Sequence, residues 1–369
     1  MLLDQSLNFH PKLRFLALDH WWYWCFASIL LTISALTSPI TVSLLKKLNC
    51  ILWRSASILG WIWRTTFVIL FIAMFSLAHQ YGVPGYVTGE ISKFIFIIIT
   101  AGWCIWKMPL ASELWHEGFF NKTGPLLLGM FFIMLVTASI SAVTSDKGPW
   151  LVLAICGVIL LSSVMGWTTG IILMIAGFLS IFALGEQLDV VADRLQAWRN
   201  AFTANHDDMA RLLWFQYEAS LQSNGWGVGQ TPWCGGVKFD RCQGLPLQLQ
   251  SDYTFTALVG WWGPVGAWLT VIFFSGYVYL WLMHAARFSA VELQPVNIIS
   301  AGGLKIALLT QLLFLSGLVM LVQMSITVSG NLGWLPLTGI TWPLISYGKT
   351  SLWVTTFLIG TVSRRSNHA

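Results

Sequence analysis

The carboxylate best placed to do chemistry in this sequence is Asp252, where a long polar stretch gives way to the apolar run that begins Tyr253-Thr254-Phe255. A carboxylate at such a boundary can take a proton from a hydroxyl, orient that hydroxyl or bind a metal. The same position suits a helix N-cap, supplied by Ser251 or Asp252, and one residue can serve both roles. Glu90 and Lys93 stand three apart on one helical face of another apolar run, a natural intramembrane pair. Ion pairs are costly in apolar surroundings, so this one marks either a polar cavity or a lock on helix packing. Arg194 and Arg199 have the forked guanidinium that grips a diphosphate, with a salt bridge to Asp189, Asp193, Asp207 or Asp208 as the alternative. Lys349 can serve the same anion if its run breaks at Pro336 and Pro343, or it can snorkel to the interface. Ser346 and Tyr347 read as hydrogen-bonding groups that hold a broken span in place; neither has a base at the spacing a nucleophile needs. Asp146, two residues before Gly148, is a shorter and less specific acidic signal.

These residues must be positioned by elements that are almost wholly apolar. The chain has 369 residues, 56% hydrophobic and 9% charged, whereas a soluble domain has about 25% charged residues, so most of its surface faces something other than water. Spans of about 20 apolar residues cross a bilayer as helix, and about nine can be placed: 22–43, 57–78, 91–109, 125–143, 150–165, 168–185, 253–283, 303–328 and 334–361. The pair 150–165 and 168–185 is separated only by Gly166, Trp167 and their neighbours, and merging them would invert the topology. One membrane domain, 1–369, is expected. Segment 1–20 does not read as a removable signal peptide.

The net charge of +5 forms no continuous patch, so it points to orientation in the membrane and excludes nucleic acid. Lys46, Lys47, Arg54, Arg287, Arg364 and Arg365 then fall on one side, the cytoplasm, and 186–252 becomes a long extracytoplasmic loop. Many of the 22 tryptophans sit at predicted helix ends and serve as interface anchors. Within the loop, 209–221 reads as an amphipathic segment. The glycine-rich stretch after it lacks the Lys-Ser/Thr ending and strand context of a nucleotide-binding loop. Cys234 and Cys242 bracket a short turn where an oxidising compartment would let them pair, worth about 2–3 kcal/mol; two free thiols is the alternative. No C-x-x-C pair or histidine cluster indicates a metal.

The most specific word in the chain is NLGWLPLTGITWPLISYGKTS, 331–351. It resembles the signature of the SEDS family of bacterial cell-wall polymerases (shape, elongation, division and sporulation proteins), N-I-G…LP-x-TG-x-P-x-P-F-x-SYGG-[ST]-S. Asn331, Gly333, Pro336, Thr338, Gly339, Pro343, Ser346, Tyr347, Gly348 and Ser351 stand in matching places. Further blocks follow in family order. Gly89-Glu90-Ile91-Ser92-Lys93 is similar to Q-P-S-E-L-A-K, and Asp146-Lys147-Gly148 to P-D-x-G. The stretch from Gln216-Tyr217 to Ser251-Asp252-Tyr253-Thr254-Phe255 is similar to a segment ending L-P-E-x-H-T-D-F-I-F. The sequence departs from the family where its Glu and His fall within Leu247-Gln248-Leu249-Gln250, where E-E-L-G becomes Trp261-Trp262-Gly263, and where the second glycine of SYGG is Lys349. An arginine-tryptophan pair is absent from 79–89, and one of the usual ten spans is missing near the N-terminus.

The resemblance implies an all-α polytopic membrane protein, a SEDS-like helical bundle in the bacterial inner membrane. It implies a glycosyltransferase polymerising a polyprenyl-diphosphate-linked saccharide, lipid II or a related precursor, beside a single-pass transpeptidase-like membrane partner. Asp252 matches the family's essential acidic position and is the catalytic candidate, as base or acceptor-orienting carboxylate. Glu90, Lys93, Asp146, Arg194, Arg199, Lys349 and Ser346 are the substrate-binding candidates. The resemblance fixes no cofactor, and a divalent cation that eases departure of the diphosphate is left open. A non-catalytic scaffold and a lipid-linked substrate transporter are the competing readings.

Overall fold

The computed structural model describes residues 21–49, 85–112, 148–185, 189–199, 252–292 and 301–346 (338 apart), with scattered positions in 66–82, 129–136, 213–217 and 353–360. Among these residues every regular element is helix. The elements are α1 (Trp21–Asn49), α2 (Gly85–Ser112), α3 (Gly148–Met165), α4 (Trp167–Gly185), α5 (Asp189–Arg199), α6 (Thr254–Glu292) and α7 (Ala301–Asn331). Among the described residues, three stretches are long and apolar enough to cross a membrane: Cys25–Leu48, Trp262–Met283 and Ala307–Asn331. Predicted spans 57–78 and 125–143 lie largely outside the described residues.

Side-chain placement on α1 shows what solvent surrounds it. Ile29, Ile33, Leu36, Ile40 and Leu44 are exposed, while the buried stripe is Ala27, Ser34, Ser38 and Val42, at helical spacing. Large apolar groups outward and small or polar groups inward is the reverse of a water-soluble helix, and it suits packing in lipid. In α6, Ile272, Phe273, Tyr279 and Leu280 point outward in the same way. By contrast α7 is buried along most of its length, including Thr310, Ser316, Gln323, Thr327 and Asn331. The chain is therefore an all-α polytopic membrane protein.

It divides into two compact units. The unit of 26–174, 278–319 and 352–369 packs α2 against α3. Phe94 meets Phe357 edge-on at 5.6 Å, and Phe26 meets Trp353 at 4.8 Å. Trp281 Nε1 donates to Leu313 O at 2.7 Å, tying the later part of α6 to the earlier part of α7. Between α3 and α4 the chain bends at Gly166, whose φ of +92° favours glycine. The bend brings Gly170 against the Ser162 side chain, so these are two elements, as the sequence reading separated them.

Gly360 lies against α1, where a Cβ would strike Ser34 Oγ and stand 2.6 Å from Leu31 O. Gly360→Ala should cost about 1–3 kcal/mol through overpacking, read as a lower melting temperature of the solubilised protein. Adding Ser34→Ala should recover little, because the second obstacle is backbone.

The other unit, 1–25, 175–277 and 320–351, contains two interruptions that hydropathy did not reveal. The expected single span 253–283 is broken at Gly263, with φ 71° and ψ 173°, immediately before Pro264. Proline cannot donate to the helical ladder and disfavours α geometry in the residue before it, which accounts for the break. Phe255 and Trp268 nevertheless meet edge-on at 5.3 Å, though a straight helix would hold them about 20 Å apart along its axis. Segment 254–262 is thus folded back on the rest of α6.

The expected span 334–361 does not begin as helix. Residues 332–346 are turns and irregular backbone, with Gly339 at φ +67° and Leu344 at φ +65°. The prolines 336 and 343 are the sequence cause. The segment runs back along α7: Gly330 faces Pro336 O, and Thr327 Oγ1 donates to Ile340 O at 2.9 Å. Trp342 is fully buried and packs edge-on against Phe274 at 5.7 Å. Irregular backbone at membrane depth is stable only when protein buries it or it lines an aqueous cavity.

Candidate active site

Asp252 sits half-buried in front of the folded-back segment 254–262. Tyr253 occupies the N-cap position of α6, its carbonyl accepting from Ala257 N at 3.0 Å, so Asp252 stands one residue ahead of the cap. The third amide of the helix, Thr256 N–H, would ordinarily go to a capping side chain. Here it donates to Asn331 Oδ1 at 3.2 Å, from the last turn of α7. The expected capping by Ser251 or Asp252 is therefore not what holds this amide.

Asn331 stitches several chain segments together. Its Nδ2 donates to Asp252 O at 3.1 Å and to Thr327 O at 2.7 Å, while its Oδ1 also accepts from Thr256 Oγ1 at 3.1 Å. Gln216 Nε2 donates to Thr256 Oγ1 and to Asn331 O, both at 2.7 Å. Asn331, Thr256 and Gln216 are all buried. The α7 terminus beside them closes as a Schellman turn: Trp334 N bonds Ser329 O at 2.9 Å and Gly333 N bonds Gly330 O at 3.1 Å, with Gly333 at φ +77°. Trp198 Nε1, from α5, donates to Gly333 O at 2.8 Å, and Leu213 lies against the same glycine. The stretch expected to form the long loop is thus pinned at Trp198 and Gln216 to two neighbouring positions, Gly333 and Asn331.

Glu90 and Lys93 belong to the other unit, where Lys93 Nζ donates to Glu90 Oε1 at 2.6 Å. Both are buried, their side chains retaining 11% and 5% of their exposure. The helix begins at Gly85, so the pair lies more than a turn inside α2. Arg199 is exposed at the C-terminal end of α5, where the helix dipole favours a cation. Arg194 lies in the middle of the same helix. Ser346 is buried and donates to Trp342 O at 2.8 Å, a bond inside the irregular segment and not a bridge to another helix. Asp146, Lys349, Cys234 and Cys242 lie outside the described residues. In the sequence Gln216 and Asn331 are letters of the family-like blocks, whereas Thr256 carries no signal of a role beyond its place in an apolar run.

An interrupted α6 and an irregular segment after α7 lie in one unit with the Asp252 carboxylate, within an all-α polytopic membrane protein. The model for the FtsW, RodA and SpoVE family, described as "cell cycle protein", matches residues 88–369, and the chain belongs to that family, the SEDS proteins, as a divergent member. It is similar to proteins named "Probable peptidoglycan glycosyltransferase FtsW". That of Hahella chejuensis is 24% identical over 297 residues, 78% of this chain and 66% of that protein. That of Enterococcus hirae is 25% identical over 230 residues, 58% and 51% of the two chains, and that of Marinobacter nauticus 25% over 283 residues, 74% and 62%. The chain thus spans less than two thirds of each relative's length. Among solved structures, a chain from a peptidoglycan synthase complex that coordinates polymerization and crosslinking aligns with TM-score 0.47 and 15% identity, covering 90% of this chain and 97% of that one.

Proposed function

We propose that the chain is a SEDS-type glycosyltransferase that polymerises a polyprenyl-diphosphate-linked saccharide, lipid II or a related precursor, at the outer face of the bacterial inner membrane. The observation behind this reading is the placement of Asp252 just ahead of α6, whose first segment folds back at Gly263, with the Asp252 backbone fastened to the end of α7 by Asn331. The acceptor hydroxyl gives its proton to the Asp252 carboxylate, or is oriented by it, as its oxygen bonds to the anomeric carbon of the donor sugar. The bond from that carbon to the lipid diphosphate breaks, and the diphosphate leaves with the electron pair. Lys93, Arg194, Arg199 and Lys349 are the cationic candidates for the diphosphate, and Glu90, Asp146 and Ser346 the remaining substrate-binding candidates. Among the described residues no group of three His, Cys, Asp or Glu side chains stands ready to hold a metal. A single-pass transpeptidase-like partner is part of this reading, as is the outward placement of 186–252 in one membrane domain.

A scaffold role is the second reading, favoured by Trp261-Trp262-Gly263 standing where the family has E-E-L-G and forming the break in α6. The purified chain in proteoliposomes, given lipid II, should release polymer resolved on a gel. Binding of lipid II without polymer, with and without the partner, would move the assignment to the scaffold.

A further inference from the structure

A buried set of hydrogen bonds, whose proton positions are fixed by chemistry, joins the backbone of Asp252 to the end of α7. Asn331 Oδ1 receives a backbone N–H, that of Thr256, so it must be the oxygen; Nδ2 then faces two carbonyls, of Asp252 and Thr327, both acceptors. Gln216 donates to the Asn331 carbonyl, so its atom there must be the nitrogen. That nitrogen also donates to Thr256 Oγ1, which obliges the Thr256 hydroxyl to send its own proton to Asn331 Oδ1. Neither amide can be flipped without setting like against like: a flipped Gln216 turns its oxygen to the Asn331 carbonyl, and a flipped Asn331 turns its amine to the Thr256 N–H. A buried network of this kind specifies one arrangement of the segments it joins, because every alternative leaves a polar group unpaired in apolar surroundings.

The joined segments are the carbonyl of Asp252, the first turn of α6, the last turn of α7 and one side chain from the stretch between α5 and α6. We propose that Asn331 is a positioning residue for Asp252, acting with Thr256, and that Gln216 makes that position depend on the docking of the segment that carries it. The proposal rests on the assignment of Asp252 as the reacting carboxylate. Its physical content is that the backbone carrying the Asp252 side chain is held at its carbonyl by Asn331, and the third amide of the helix after it is bound by the same side chain. Misplacement of a reacting group by about 1 Å can cost 10²-fold in rate with little change in binding. A positioning role therefore appears in kcat, whereas a merely structural one appears in the folded fraction.

Thr256→Val isolates the effect. It removes the hydroxyl, while Gln216 keeps its bond to Asn331 O and Asn331 Oδ1 keeps the backbone amide, so the loss is confined to the Thr256 hydroxyl's own bonds and the acceptor it gave one Gln216 N–H. With lipid II in proteoliposomes we expect kcat to fall about tenfold with KM within about twofold, and Thr256→Ser to restore it. Asn331→Asp, which keeps the acceptor and loses both donated bonds, should fall at least as far. A water-soluble carbodiimide, with the labelled peptide quantified by mass spectrometry, reports on Asp252 without any substrate; its labelling rate should change severalfold in Thr256→Val and Asn331→Asp and return in Thr256→Ser. Wild-type labelling rates and wild-type kcat in folded Thr256→Val and Asn331→Asp would overturn the positioning role. Full turnover by Asp252→Ala would instead overturn the catalytic assignment, and altered labelling in the Thr256 and Asn331 variants would still register the network.

Discussion

Asp252→Ala should reduce polymer formation from lipid II by about 10²–10⁴-fold, the contribution typical of a positioned general base. Asp252→Asn should lose a similar amount, because an amide can orient a hydroxyl but cannot accept its proton. The loss is expected to be one of chemistry and not of folding. What Asn331 holds is the Asp252 carbonyl, and the third amide of α6 is capped by Asn331 as well; both bonds survive any side chain at 252. The variant should therefore melt within about 3 °C of wild type. A carboxylate that only capped the helix would give the opposite result, with turnover retained and melting lowered by the loss of about 1 kcal/mol. Polymer yield and melting temperature measured on the same preparations separate these outcomes.

Much of the architecture was legible in the sequence because lipid imposes a simple rule. Long apolar runs must be helical, and α1, α2, α3, α4 and α7 lie where such runs were placed, with ends shifted by a few residues as the helices continue into polar flanks. Hydropathy failed where it averages over backbone. Pro264 and the prolines 336 and 343 were visible, but apolarity alone cannot distinguish a helix that bends from one that folds back; the contact of Phe255 with Trp268 decides it. Asp252 and the pair Glu90 and Lys93 could be singled out because charge in an apolar run is expensive. The Asn331 network could not, since Gln216 and Asn331 are 115 residues apart and neither bears charge. Ser346 illustrates the same limit: its type predicts a hydrogen bond, but the partner, Trp342 O four residues back, follows from the irregular fold.

Lys93→Met should be the most damaging single change for stability, costing about 3–5 kcal/mol, because it leaves the Glu90 carboxylate buried without its partner. Glu90→Gln should be milder: the amide can still accept from Lys93, though a lone buried ammonium remains. The double variant Glu90→Gln/Lys93→Met removes both charges while nearly keeping side-chain volume. It should recover most of the lost stability, since a buried pair is often no better than the apolar groups that replace it. Thermal unfolding of the solubilised variants measures the coupling, and turnover measured on the same set separates structure from function. A pair that only locks α2 in place would return activity along with stability in the double variant. If Lys93 instead supplies charge to the diphosphate, the double variant should be stable and nearly inactive. That outcome would make the cost of burying the pair intelligible, since a lysine fixed by Glu90 at 2.6 Å presents its charge without first losing side-chain entropy to the substrate.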